Sequence, residues 1–131
     1  MIIYQSENNE FDPATLTRSE STQFEYTAHL NAIENEGIKP SEYIISTVFT
    51  SPLKTIAISR NQFGYELPHG YTHMLLWFRK NSIPYPSEFL CSLIKDSFIK
   101  NSVKIIWQNE KNLQSIKDLA HLHFIVENDH I

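Results

Sequence analysis

The stretch that most limits what this chain can fold into is Ala120-His121-Leu122-His123-Phe124-Ile125-Val126. Successive side chains of a strand point to opposite faces. Leu122, Phe124 and Val126 therefore share one face, which needs a core, while His121, His123 and Ile125 share the other. An earlier run, Thr72-His73-Met74-Leu75-Leu76-Trp77-Phe78, is apolar on both faces, as an inner strand is. Set beside the first in a compatible register, it would bring His73 next to His121 or His123.

The rest of the chain fits around this pair. Thr55-Ile-Ala-Ile-Ser59 and Val103-Lys-Ile-Ile-Trp107 are further β-branched, alternating runs. Between the second and third of these four strands, Phe89, Leu90, Leu93, Ile94 and Phe98 recur at helical steps within residues 86–100. Upstream, Asp12-Pro13 reads as an N-cap with proline at the first helical position. Ser19 or Ser21 would cap a helix carrying Phe24, Tyr26, Leu30 and Ile33, which Gly37 would end. A short helix is expected from Pro40 through Phe49. The order is helices, then strands with one helix inserted, not a repeating strand–helix–strand. The expected fold is α+β: N-terminal helices packed on a small antiparallel sheet of about four strands. One domain should span residues 1–131, with 1–11 as an arm and 127–131 as a polar tail.

Composition narrows the role. A net charge of −4 with no basic run argues against nucleic acid as the main partner. No apolar run approaches the length of a membrane span. The single cysteine, Cys91, lies in an apolar-periodic stretch, where it reads as a small hydrophobe in a reducing compartment, so a cytoplasmic protein is expected.

Three imidazoles on one sheet face can do acid–base or nucleophilic work near neutral pH. They can equally be hydrogen-bonded residues that serve the fold, and the sequence leaves both readings open. His-x-His also suits metal ligation, but no fourth ligand stands out on these strands, so no metal or cofactor is expected. Arg18, in Arg18-Ser19-Glu20, offers a bidentate fork for phosphate or carboxylate; the alternative is an ion pair beside a Ser19 cap.

The order Asn109-x4-Gln114-Ser115-x5-His121-x-His123 is similar to the histidine-triad nucleotide hydrolases and transferases. That likeness implies His121 as nucleophile, His123 as a phosphate contact, and Asn109 and Ser115 orienting imidazole and phosphate. The third alternating position here is Ile125 rather than histidine, and the loop lacks glycine.

Three stretches taken together also resemble the fungal N-acetylglucosamine-induced protein family, a domain shared with large DNA viruses. They are Leu16-Thr-Arg18-Ser19-Glu20-x2-Gln23-x2-Tyr26, Leu67-Pro68-x-Gly70-x2-His73-x3-Trp77, and Trp107-x-Asn109-x3-Leu113-Gln114-Ser115-Ile116-x2-Leu119-x-His121-x-His123. The resemblance implies that Arg18, Ser19, His73, Asn109, Ser115, His121 and His123 occupy motif positions. It names no chemistry, and a viral member would work in host cytoplasm.

The leading expectation is a small phosphoester- or nucleotide-handling enzyme. His73, His121 and His123 would be catalytic, with Arg18, Ser19, Asn109 and Ser115 binding an anion such as a nucleotide or sugar phosphate. The rival is a non-catalytic binding or virion-associated interaction protein, and a second copy of the chain is a candidate partner. In the enzyme reading His121 is a solvent-facing rim residue, and Arg18, His73 and His121 share one small anion.

Overall fold

A computed structural model describes residues 1–7, 10–110, 114 and 116–128. In chain order it contains β1 (Ile2–Ser6), a 3-10 turn (Pro13–Thr15), α1 (Glu20–Asn35), α2 (Pro40–Val48), β2 (Ile56–Arg60), β3 (Tyr71–Phe78), α3 (Ser87–Asp96), β4 (Val103–Gln108) and β5 (His121–Glu127). The strands form one antiparallel sheet in the order β1-β4-β5-β3-β2. The most strongly patterned strand, β5, is thus the central one.

The sheet has five strands rather than about four, and the segment expected to be an arm supplies the fifth. β1 pairs with β4 at the sheet edge, with an irregularity between Ile3 and Gln5. Its Ile2 and Ile3 are half exposed, and Tyr4 is its residue packed against the core. An edge strand held largely by backbone pairing needs no regular apolar alternation, so periodicity does not reveal it.

Local chemistry sets the helix ends. Asp12 caps the 3-10 turn by accepting from the Ala14 N–H at 3.0 Å, with Pro13 at the first position. Ser19 caps α1 by accepting from the Thr22 N–H at 3.2 Å. At the other end Gly37, at φ 75°, donates to Glu34 O at 2.9 Å, and Ile38 donates to Ile33 O at 2.9 Å. These two bonds satisfy carbonyls that the last helical turn leaves open. Tyr26 and Ile33 are buried on α1, while Phe24 is 76% exposed. Phe24 stands two positions before Tyr26, about 200° around the helix, and so falls off the stripe that Tyr26, Leu30 and Ile33 define.

Both sheet faces are covered. On one, Leu76, Phe78, Ile106, Leu122, Phe124 and Val126 pack with Leu90 and Ile94 of α3. Full burial contributes about 1.5–3 kcal/mol for each such side chain. Cys91 packs against this cluster half-buried, and burial pushes its thiol pKa up, away from a nucleophile. The opposite face holds two further clusters. Leu75, Trp77, Phe49 and Leu119 meet Ile44 and Val48 of α2, and Ile105, Trp107 and Ile125 meet Phe11, Leu16 and Tyr65. Among the described residues no helix is long and apolar enough to cross a membrane.

Gly37→Ala should lower stability by about 1 kcal/mol, because an L-residue in the left-handed region is strained. Thermal melts should register a fall of roughly 3–5 °C; an unchanged midpoint would remove Gly37 as the device that ends α1.

Candidate functional site: a cavity over the histidine face

The β3–β5 register sets His73 opposite Ile125, Leu75 opposite His123 and Trp77 opposite His121. Paired residues share a face, so all three histidines lie on the same side, and β4 adds Trp107 opposite His123. His73 reaches His123 rather than His121: its Nε2 lies 2.8 Å from His123 Nδ1. Tyr65, from the loop after β2, covers this pair, its ring 4.7 Å from that of His73 and parallel to that of His123 at 6.1 Å. Beneath it His73 and His123 stack on Trp107.

The solvent-facing rim expected for His121 is not what the fold provides. His73, His121 and His123 are 3%, 6% and 6% exposed. Alternation assigns these side chains to a face, but whether the face meets water depends on the layer above it. Here α2 and Tyr65 supply that layer, and Trp77, on the same face, flanks His121 with the rings 4.6 Å apart.

The hydrogen bonds of His73 have a fixed direction. The Tyr65 N–H donates to His73 Nδ1 at 3.1 Å. Asn61 accepts from the Phe63 N–H on its Oδ1, which turns its amide nitrogen toward the same Nδ1 at 3.4 Å. Nδ1 therefore carries the lone pair, and in the neutral ring Nε2–H donates to His123. Burial lowers the His73 pKa to about 3, and the nearby charges of Arg18 and His121 add to the effect. Burial, then His73, His121 and Arg18, holds His123 well below its ordinary value. His121 is lowered by burial and partly restored by its Nδ1–H bond to Leu119 O at 3.0 Å. That bond leaves its Nε2 lone pair without a partner among the described residues.

A cavity of about 150 Å3 lies between this face and the helices. Cavities of about that size admit a benzene-sized ring. Tyr26, Leu30, Ile33, Ile44 and Val48 form apolar walls; His121, His123, Asn109 and Gln114 give a polar floor. Arg18 and Arg60 are its charged lining, and no carboxylate lines it among the described residues. Arg18 donates through Nε to Phe63 O at 2.7 Å and lies over the Tyr26 ring at 4.3 Å. Among the described residues it has no ion-pair partner.

The structure thus gathers Arg18, Asn109, His121 and His123 at one cavity. His73 is not among its lining residues and spends both nitrogens on protein groups, so the expected meeting of Arg18, His73 and His121 is not found there; Arg18, His121 and His123 line the cavity together. Ser19 is spent on capping and does not line the cavity. Ser115 lies outside the described residues. Among those residues no group of histidine, cysteine or acidic side chains is arranged to hold a metal ion; His123 gives its Nδ1 to His73, so the three rings share no open point. Sequence reasoning missed Asn61 and Tyr65, which orient His73, because they sit in a loop whose only signal was turn composition. Gln114, quoted in the motif but given no role, donates to Asn109 O at 2.8 Å.

Fold and site define a class: an α+β protein with a cavity between helices and the histidine-bearing face of an antiparallel sheet. The chain belongs to the family described as "Protein of unknown function (DUF3605)", which matches residues 5–127. It is similar to the crystal structure of HTC1, with a TM-score of 0.58 and 18% identity over 87% of this chain and 77% of that one. At that identity the likeness is one of fold alone. No curated protein matches the chain.

Gly64 packs against His73: a Cβ built there would lie 3.1 Å from His73 Cβ. Because His73 is clamped at both nitrogens, Gly64→Ala should destabilise by about 1 kcal/mol or more, as overpacking does, and denaturant melts would show it. The histidines also set an acid limit. Folded, they stay neutral; unfolded, they take up protons near pH 6.5. Their contribution is therefore complete above about pH 6.5 and is lost as pH falls toward 3, the folded value for His73. Each histidine contributes a slope of up to about 1.4 kcal/mol per pH unit. Melting temperature should be flat above about pH 7 and fall steadily below about 6.5; constancy down to about pH 5 would contradict the buried, neutral state.

Proposed function

We propose that the chain is a small-substrate enzyme acting on phosphoesters, with the cavity as its active site and His121 as its reacting residue. The observation that carries this reading is the bond from His121 Nδ1–H to Leu119 O, beside a cavity that Arg18 lines and no described carboxylate opposes. A ring tied at Nδ1 presents a lone pair at Nε2, and its lowered pKa keeps that lone pair free at neutral pH. Nε2 can attack phosphorus, expelling the leaving-group oxygen and giving a phosphoryl-imidazole that water hydrolyses, the role that the histidine-triad likeness implies. Arg18 would hold the anion by charge and by the guanidinium nitrogens that Phe63 leaves free.

Cavity size favours a ring-sized body over a whole nucleotide, whose base would lie outside. Small phosphoesters, sugar phosphates among them, therefore come before nucleotides among candidate substrates. A second reading, a binding protein without turnover and in a viral setting virion-associated, is favoured by the burial of all three rings and by the bond between His73 and His123.

Phosphate release from a panel of sugar phosphates, nucleoside monophosphates and aryl phosphates separates the two. Wild type should turn over at least one of them, and His121→Gln should lower that rate by roughly 10²–10⁴-fold with the fold intact. Equal rates in the two proteins would end the catalytic role of His121. Binding without turnover in wild type would leave the second reading standing.

A further inference from the structure

We propose that Asn109 Nδ2 and His123 Nε2 form a seat for one oxygen of an organic oxyanion, a carboxylate or a phosphoryl group. The seat rests on reading the cavity as a ligand site, and it adds which atoms the ligand must present there.

Hydrogen-bond direction is fixed at both ends of a chain of side chains. At one end stands the Tyr65 N–H, which can only donate. It fixes His73 as the Nε2–H form, so His123 must accept at Nδ1, and its neutral ring carries its hydrogen on Nε2. At the other end stands the indole N–H of Trp107, which likewise can only donate. It meets Asn109 Oδ1 at 3.1 Å, so the amide oxygen of Asn109 is turned toward Trp107 and its NH2 away from it. That NH2 lies 3.3 Å from the Tyr65 hydroxyl and 3.3 Å from His123 Nε2.

The contact between Asn109 and His123 is consequently N–H facing N–H. Neither group satisfies the other, and flipping either would break a bond to a group that can only donate. Two donors held together in this way call for an acceptor that both can reach. Asn109 and His123 both line the cavity, as does Arg18, whose charge favours an anion there. Fixed donors around a developing or resident negative charge need no rearrangement when it arrives. The apolar walls contributed by Tyr26, Leu30 and Ile33 suit a small aromatic or aliphatic body attached to that oxyanion.

The test uses the full chain and three probes of one shape: benzoate, phenyl phosphate and neutral benzamide. Proton–nitrogen correlation spectra of histidine-labelled protein at neutral pH should show His73 and His123 as Nε2–H tautomers and His121 as Nδ1–H. At least one anion should bind, move the His123 Nε2–H signal, and bind about tenfold or more tightly than benzamide, since hydrogen bonds to a charged acceptor are the stronger kind. Whichever anion binds better separates the carboxylate source from the phosphoryl one. Asn109→Asp places an oxygen in the seat while still accepting from Trp107. It should keep the melting temperature of wild type and weaken anion binding by about tenfold or more. An Nδ1–H tautomer at His123, equal affinity for benzamide, undiminished binding by Asn109→Asp, or no binding of either anion at millimolar concentration would overturn the seat. None of these readouts requires turnover. A protein that binds the anions yet converts no phosphoester loses the catalytic reading and keeps the seat.

Discussion

The antiparallel pairing of β3 with β5, which sets Leu75 against His123 and Trp77 against His121, is the contact on which both faces of the sheet depend. In this register Leu76, Leu122 and Phe124 meet α3, and the imidazoles meet Tyr65 and the indole rings. A slip of one residue would exchange the faces. Slipping β5 would press its two imidazoles, His121 and His123, into the apolar cluster around Leu90 and Ile94, away from the groups that hydrogen-bond them. Burial on both faces is therefore what makes the register unambiguous, and β5 at the centre of the sheet carries most of that selection.

Burying imidazoles is tolerable here because each is neutral and has at least one directed partner. The Tyr65 N–H and Asn61 serve His73, His73 serves His123, and the Leu119 carbonyl serves His121. Stacking of His73 and His123 on Trp107 adds apolar contact without asking for a charge. Arg18, without an ion-pair partner among the described residues, sits at the edge of this group, partly buried, with its flat face on Tyr26. The arrangement separates roles: neutral rings below, a cation above, and the cavity between.

What was legible in the sequence was the alternation. It located β2 to β5 to within a residue or so, and it put His73, His121 and His123 on a common face. Gly37 announced one end of α1 and the pair Ser19 or Ser21 the other, of which Ser19 is the cap, through backbone chemistry that is local and so readable. Coverage was not legible, because period-two patterning says which side chains share a face and nothing of what lies above it, and the buried histidines escaped for this reason; the edge strand β1 escaped because it carries no regular alternation. Nor could spacing say that Ser19 would be consumed by its own helix, or that Arg18 would find a carbonyl instead of a carboxylate. Tyr65 contributes its N–H as much as its ring, and a backbone donor leaves no mark in residue identity.

Main-chain anchoring limits how this loop can vary. The segment 61–65 holds Arg18 through the Phe63 carbonyl and His73 through the Tyr65 amide. Two of its key atoms belong to the main chain, so they persist whatever side chains are exchanged around them. Its length is another matter: an insertion or deletion of a single residue would displace cation and imidazole anchor together. Drift among relatives should therefore alter the letters of this loop far more freely than its count. Anyone grafting the cavity onto another scaffold would have to transplant a backbone path, not a set of residues.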